Sequence, residues 1–146
     1  MEKPTTLEHN KQMALESLRA IETGDSVAAD RIIAPDFNRE ADDDPNRPDR
    51  GLRGPAGLIA TSRWLSGTFS DFTFDHHEVV AEDERVVVVA TMTGTHTGTV
   101  QGTPPTRKRF QQRQFHLFRM LAGQIVEHLA LRDDLGLLRQ LGVLPP

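Results

Sequence analysis

The chain has 146 residues, enough for one domain with a core of its own. It contains no cysteine, which excludes disulfides, thiolate zinc sites and cysteine-held iron–sulfur clusters. Its 17 basic and 21 acidic residues leave a net charge of −4, against the basic surface that nucleic-acid binding needs. No apolar run approaches the ~20 residues that span a bilayer, and the start, MEKPTTLEHNKQ, has no apolar signal core. A cytoplasmic protein with no membrane or nucleic-acid partner is expected.

In chain order, Thr5 and Glu8 fit a capping box, and Leu7, Ala14, Leu15, Leu18 and Ile21 recur at helical spacing over 6–23. Gly24 supplies the stop and Asp25 the cap of a second helix over 26–34, before Pro35. Residues 36–40 read as a short strand. From Arg39 to Arg53 the chain is charged, rich in proline and nearly free of apolar side chains. A loop of that length is expected to be mobile and to border a pocket mouth as a lid. Pro55 suits the first turn of a third helix over 55–66, with Trp64 on its apolar face.

After Gly67 the period changes. Phe72, Phe74 and His76 alternate with polar neighbours, and Arg85 to His96 is rich in valine and threonine, as a strand should be. Gln101 to Thr106, with glycine and two prolines, is a connection, and Arg107-Lys108-Arg109 a solvated strand start. Phe110–Met120 and Gln124–Leu131 are two more strands. Asp133 caps a last helix, with Leu135, Leu138 and Leu141 expected inward. Helices first, then strands joined by short turns, make an α+β domain over 1–146: a mostly antiparallel sheet from about 72 to 132 with helices on one face. Gly94 and Gly98 are candidate bend or bulge positions.

The hairpin around Gly123 carries the candidate chemistry. A three-residue loop, Leu121-Ala122-Gly123, would set His116 opposite His128. Gln114, His116, Phe118, Val126, His128 and Ala130 would then share one sheet face. A two-residue loop would separate the histidines. Two imidazoles and an amide on a buried face are either core groups satisfied by hydrogen bonds or a pocket wall for a polar small molecule. In a pocket, an imidazole acts as general acid or base near neutral pH. His76 and His77, adjacent in a strand, cannot both ligate one metal, and no His-x-x-x-His spacing occurs. No metal site is expected. His9 and His96 read as solvated, and Asp133 and Asp134 as acids favoured by a helix N-terminus.

Several pieces taken together resemble the SnoaL-like polyketide cyclases of the nuclear transport factor 2-like superfamily. They are Glu22 to Asp25, Ala34 to Phe37, Phe69 to Phe74, TGTHTG (93–98), GTPPT (102–106), IVEH (125–128) and LGLLRQLG (135–142). The resemblance implies a cone-shaped α+β barrel, often a homodimer or tetramer, with one pocket per subunit and no cofactor. It implies an intramolecular aldol closure of a polyketide ester. His116 and His128 match family positions that line the pocket, and they are the candidate catalytic residues. In the cyclases an aspartate two residues after the IVEH histidine is the general acid/base. Here that position is Ala130. Gln114, Phe118, Ala130, Arg132 and Trp64 are the candidate substrate-binding residues. Three readings stay open: a cyclase whose histidines carry the proton, a small-molecule binder without turnover, or a related isomerase, hydratase or hydroxylase.

Overall fold

The computed structural model describes residues 6–37 and 50–145. Thr5, and residues 39–49 of the expected lid, lie outside them. Helix α1 (Thr6–Thr23) buries Met13, Ala14, Leu18 and Ile21, whose spacing makes one apolar stripe. Leu7 is exposed at the first turn. Gly24 ends the helix at φ 71°, and its N–H donates to Ala20. Asp25 then caps α2 (Ser26–Ile32) by accepting from the N–H groups of Val27 and Ala28. The expected strand at 36–40 does not form where it is described: Pro35 to Phe37 make a turn. Ile33 instead bridges Ile125, and the Ala34 N–H donates to the Ile125 carbonyl. Helix α3 (Pro55–Thr68) starts with proline in its first turn and runs directly into the sheet.

Four strands follow: β1 (Phe69–Glu82), β2 (Arg85–His96), β3 (Arg109–Leu121) and β4 (Gln124–Arg132). They pair antiparallel in chain order, giving an open curved sheet rather than a closed barrel. Gly94 is the single β2 residue opposite Asp71 and Phe72 at one bulge, whereas Gly98 lies beyond the strand. The register breaks lie on the edge strands, after Ser70 and after His76 on β1 and beside Ile125 on β4. Extra residues on edge strands bend and twist a sheet without breaking its centre. Gly98 serves a close approach instead. A Cβ there would overlap the carbonyl oxygen of Gly67, and its N–H donates to Thr68 at the end of α3.

Helices α1, α2 and α3 cover the inner face. Leu18, Ile21, Ile32 and Leu65 meet Val86, Val88, Met92, Phe118 and Ile125 in one core. Each such fully buried side chain is worth about 1.5–3 kcal/mol of apolar transfer. β2 turns Val86, Val88, Ala90 and Met92 inward, whereas β3 turns Gln112, Gln114 and His116 inward beside them. Helix α4 (Asp134–Gln140) closes the chain, capped by the Asp133 carboxylate on the Gly136 N–H. It buries Leu137 and Leu141 and leaves Leu135 exposed, so its inward set differs from the expected one. No described helix is long and apolar enough to cross a membrane.

Candidate active site

β3 and β4 are joined by two residues, not three: Leu121 pairs with Gln124 across Ala122 and Gly123. Both turn residues have positive φ, 51° and 78°, the geometry that matches the right-handed twist of a hairpin. Alone, that turn would put the histidines on opposite faces. The break after Met120↔Ile125 restores the parity, because Arg119 pairs with Glu127 and Val126 is the extra residue. His116 therefore faces Ala130, Phe118 faces His128 and Gln114 faces Arg132. The histidines share a face as expected, but as diagonal rather than direct neighbours.

Their rings meet through His116 Nδ1 and His128 Nε2 at 2.8 Å. On its other side His116 Nε2 lies 2.8 Å from Gln114 Oε1. Gln114 Nε2 donates to Gln112 Oε1 at 2.8 Å and touches Met92 Sδ. Gln112 Nε2 donates to Asp134 Oδ1 at 3.0 Å and to the Asp133 carbonyl at 3.2 Å. Five side chains thus form one hydrogen-bonded line, three of them buried: Gln112, Gln114 and His116. The buried amides and imidazole cost little because each has partners.

Burial, helped by the positive charge of Arg132, lowers the His116 pKa from 6.5 to about 4. His116 is therefore neutral at physiological pH. The unfolded chain takes up a proton below pH 6.5 that the native site refuses, so stability present above that pH is lost as pH falls toward 4. The expected loss is about 3 kcal/mol over that window. Urea unfolding of the native protein and of His116→Gln checks this. The gap between them should narrow as pH drops, and parallel curves would contradict it.

The line forms one wall of a cavity of about 100 Å³ that opens to solvent at its mouth. Trp64, Phe69, Phe74 and Met92 supply apolar lining, and His128, Ala130, Arg132 and Asp134 stand at the β4 end. Of the expected residues, Gln114, His116, His128, Ala130, Arg132 and Trp64 all line it. Trp64 is not a core residue, however: it is 41% exposed and packs edge-on to Phe69. Phe118 is not a wall residue. It lies fully buried behind the pair, stacked on His128 with ring centres 4.2 Å apart. Arg132 Nε lies 3.8 Å from Asp134 Oδ1, a half-exposed pair of small energetic weight.

Four of the cavity's polar residues escaped the sequence reading: Thr61, Gln101, Gln112 and Asp134. Gln112 follows the same strand parity as Gln114 and was legible from it. Asp134 looked like a helix-terminal acid because the packing of α4 against β3 is not visible in a linear pattern. His96 and His9 also differ from expectation. His96 is fully buried, with Nδ1 accepting from the Thr106 N–H at 3.1 Å, and His9 is half-buried with Nε2 3.2 Å from the Gly123 carbonyl oxygen. His76 and His77 are exposed. Among the described residues no three His, Asp or Glu side chains gather as a metal site.

Comparison with known proteins agrees with this geometry. Residues 12–141 match the model of the SnoaL-like polyketide cyclases. Nogalonic acid methyl ester cyclase of Streptomyces nogalater is 34% identical over 127 residues, 84% of this chain and 90% of that protein. Aklanonic acid methyl ester cyclase DnrD of Streptomyces peucetius is 37% identical over 94 residues, 62% of this chain and 63% of that one. Among solved structures, TsrD of Streptomyces laurentii superposes with a TM-score of 0.81 at 26% identity, covering 98% of this chain and all of the other. IdmH of Streptomyces antibioticus gives 0.73 at 26% identity, covering 92% and 99%. Fold, cavity and sequence agree: the chain belongs to the SnoaL-like polyketide cyclase family.

Proposed function

We propose that this chain closes a ring in a small polyketide methyl ester by acid/base aldol chemistry, with His128 as the proton carrier. The observation that carries this reading is the hydrogen-bonded histidine pair in the cavity wall. His116 is held neutral, with both ring nitrogens engaged, so it serves to orient its partner. His128 lines the cavity beside it, and in this reading its imidazole exchanges a proton with substrate. It removes a proton from the carbon next to one carbonyl. The resulting enolate carbon attacks a second carbonyl of the same molecule, forming the C–C bond. The new alkoxide then takes the proton back from His128, so nothing is consumed. The polar atoms of Gln114 and His116 are already engaged, so Arg132 at the mouth is the group placed to steady the enolate oxygen.

Incubation with nogalonic acid methyl ester, followed by chromatography and mass spectrometry, tests the reading. A product of unchanged mass and altered retention is expected. Ala130 favours one alternative, a pocket that binds such esters without turnover. Saturable binding with no product over a long incubation would replace the enzyme by that binder.

The working unit proposed is a homodimer joined through the outer sheet face. Phe115 and Leu131 pair across the strands there, 50% and 78% exposed, beside the Leu117–Leu129 pair. A contiguous apolar face of this kind is characteristic of an interface. Light scattering at micromolar concentration should give twice the chain mass, and Leu131→Glu with Phe115→Glu should halve it. A native monomer under those conditions would refute the assembly.

A further inference from the structure

The line of side chains behind the cavity has a direction, and one end fixes it. Gln112 Nε2 faces two oxygens, the Asp134 carboxylate and the Asp133 carbonyl, neither of which carries a proton to give. Only the NH₂ of Gln112 satisfies both, so its oxygen must face Gln114. The Gln114 NH₂ then points to Gln112 and its oxygen to His116. An oxygen there requires a proton on His116 Nε2. A neutral His116 with that proton has a bare Nδ1, which must accept from His128 Nε2–H. The reverse arrangement would bury the Gln112 oxygen against two others with no proton between them, an uncompensated cost in a low-dielectric site.

We propose that Gln112 is a positioning residue that acts on His128 from three hydrogen bonds away, fixing a proton on Nε2, the nitrogen that faces His116. The proposal deepens the cyclase reading and rests on it for its functional meaning. The His128 Nε2–H donates to His116 whether or not Nδ1 is protonated, so the ring keeps its orientation through the cycle. A hydrophobic residue at position 112 would leave Gln114 able to rotate, and both histidines would then sample the opposite tautomer.

The test is the ring-nitrogen spectrum of ¹⁵N-histidine-labelled protein near neutral pH, where protonated and bare nitrogens give well-separated signals. The native protein should show Nε2–H and bare Nδ1 at His116, and a proton on Nε2 of His128. Gln112→Leu should draw the two signals of the His116 ring toward one another, with a backbone amide spectrum that confirms the fold. Gln112→Glu should restore the native pattern, because a protonated carboxyl still donates to Asp134 and accepts from Gln114. A native His116 protonated on Nδ1 overturns the proposal without any variant, and so do unchanged tautomers in Gln112→Leu. Turnover of nogalonic acid methyl ester on the same samples separates the two claims. Shifted tautomers with undiminished turnover keep the relay and remove His128 as the proton carrier.

Discussion

Ala130→Asp is expected to raise the rate of ring closure on nogalonic acid methyl ester by ~10²–10⁴-fold, the usual worth of a positioned acid/base group. The position faces the cavity directly opposite His116 and two residues beyond His128 on the same strand face. It is solvent-exposed, so a carboxylate enters without displacing a packed side chain and without a large desolvation cost. Arg132, next on that face, favours the ionised form that accepts a proton. Initial rates at fixed substrate, compared with the native protein, provide the measurement. A rate that stays flat while the ester still binds would mean the cavity holds substrate in a pose unsuited to aldol closure.

His128→Ala is expected to lower the turnover of the native protein by a similar ~10²–10⁴-fold while leaving the far-ultraviolet spectrum and the cooperative unfolding transition in place. The imidazole is half-buried at the cavity edge and stacks on Phe118, so its loss exposes one ring face without opening the core. His116→Ala should also lose activity, but for a different reason. It removes a buried ring with partners on both sides and frees His128 to rotate, so activity and stability should fall together. Full turnover in both variants would leave the pair a purely structural feature.

The parts of this molecule governed by local chemistry were legible in its sequence. The Gly24 stop, the Asp25 and Asp133 caps, Pro55 at a helix start and the alternation of β2 and β3 are each decided by a few neighbouring residues. They match the observed element bounds closely. What depended on packing was not legible. Leu137 rather than Leu135 faces inward because α4 lies against β3 at an angle that the leucine spacing does not specify. His96 is buried because the segment from 97 to 108 folds back over it, tied by Thr106 and by Gly98 against α3. At the hairpin the shared face of the histidines was anticipated, but through a longer loop. The turn is shorter and the strand carries one extra residue, two departures that cancel.

That cancellation decides where this hairpin can change length. Without Val126 the two-residue turn would pair Arg119 with Glu127 and Phe118 with His128 in one unbroken ladder, so losing the extra residue straightens β4 and leaves the cavity face as it is. Losing one residue farther along, such as Leu129, has no such remedy: Ala130 would turn outward and Leu131 would enter the cavity beside His116. Functional relatives should therefore differ in length at the bulge and keep the spacing from His128 to Arg132.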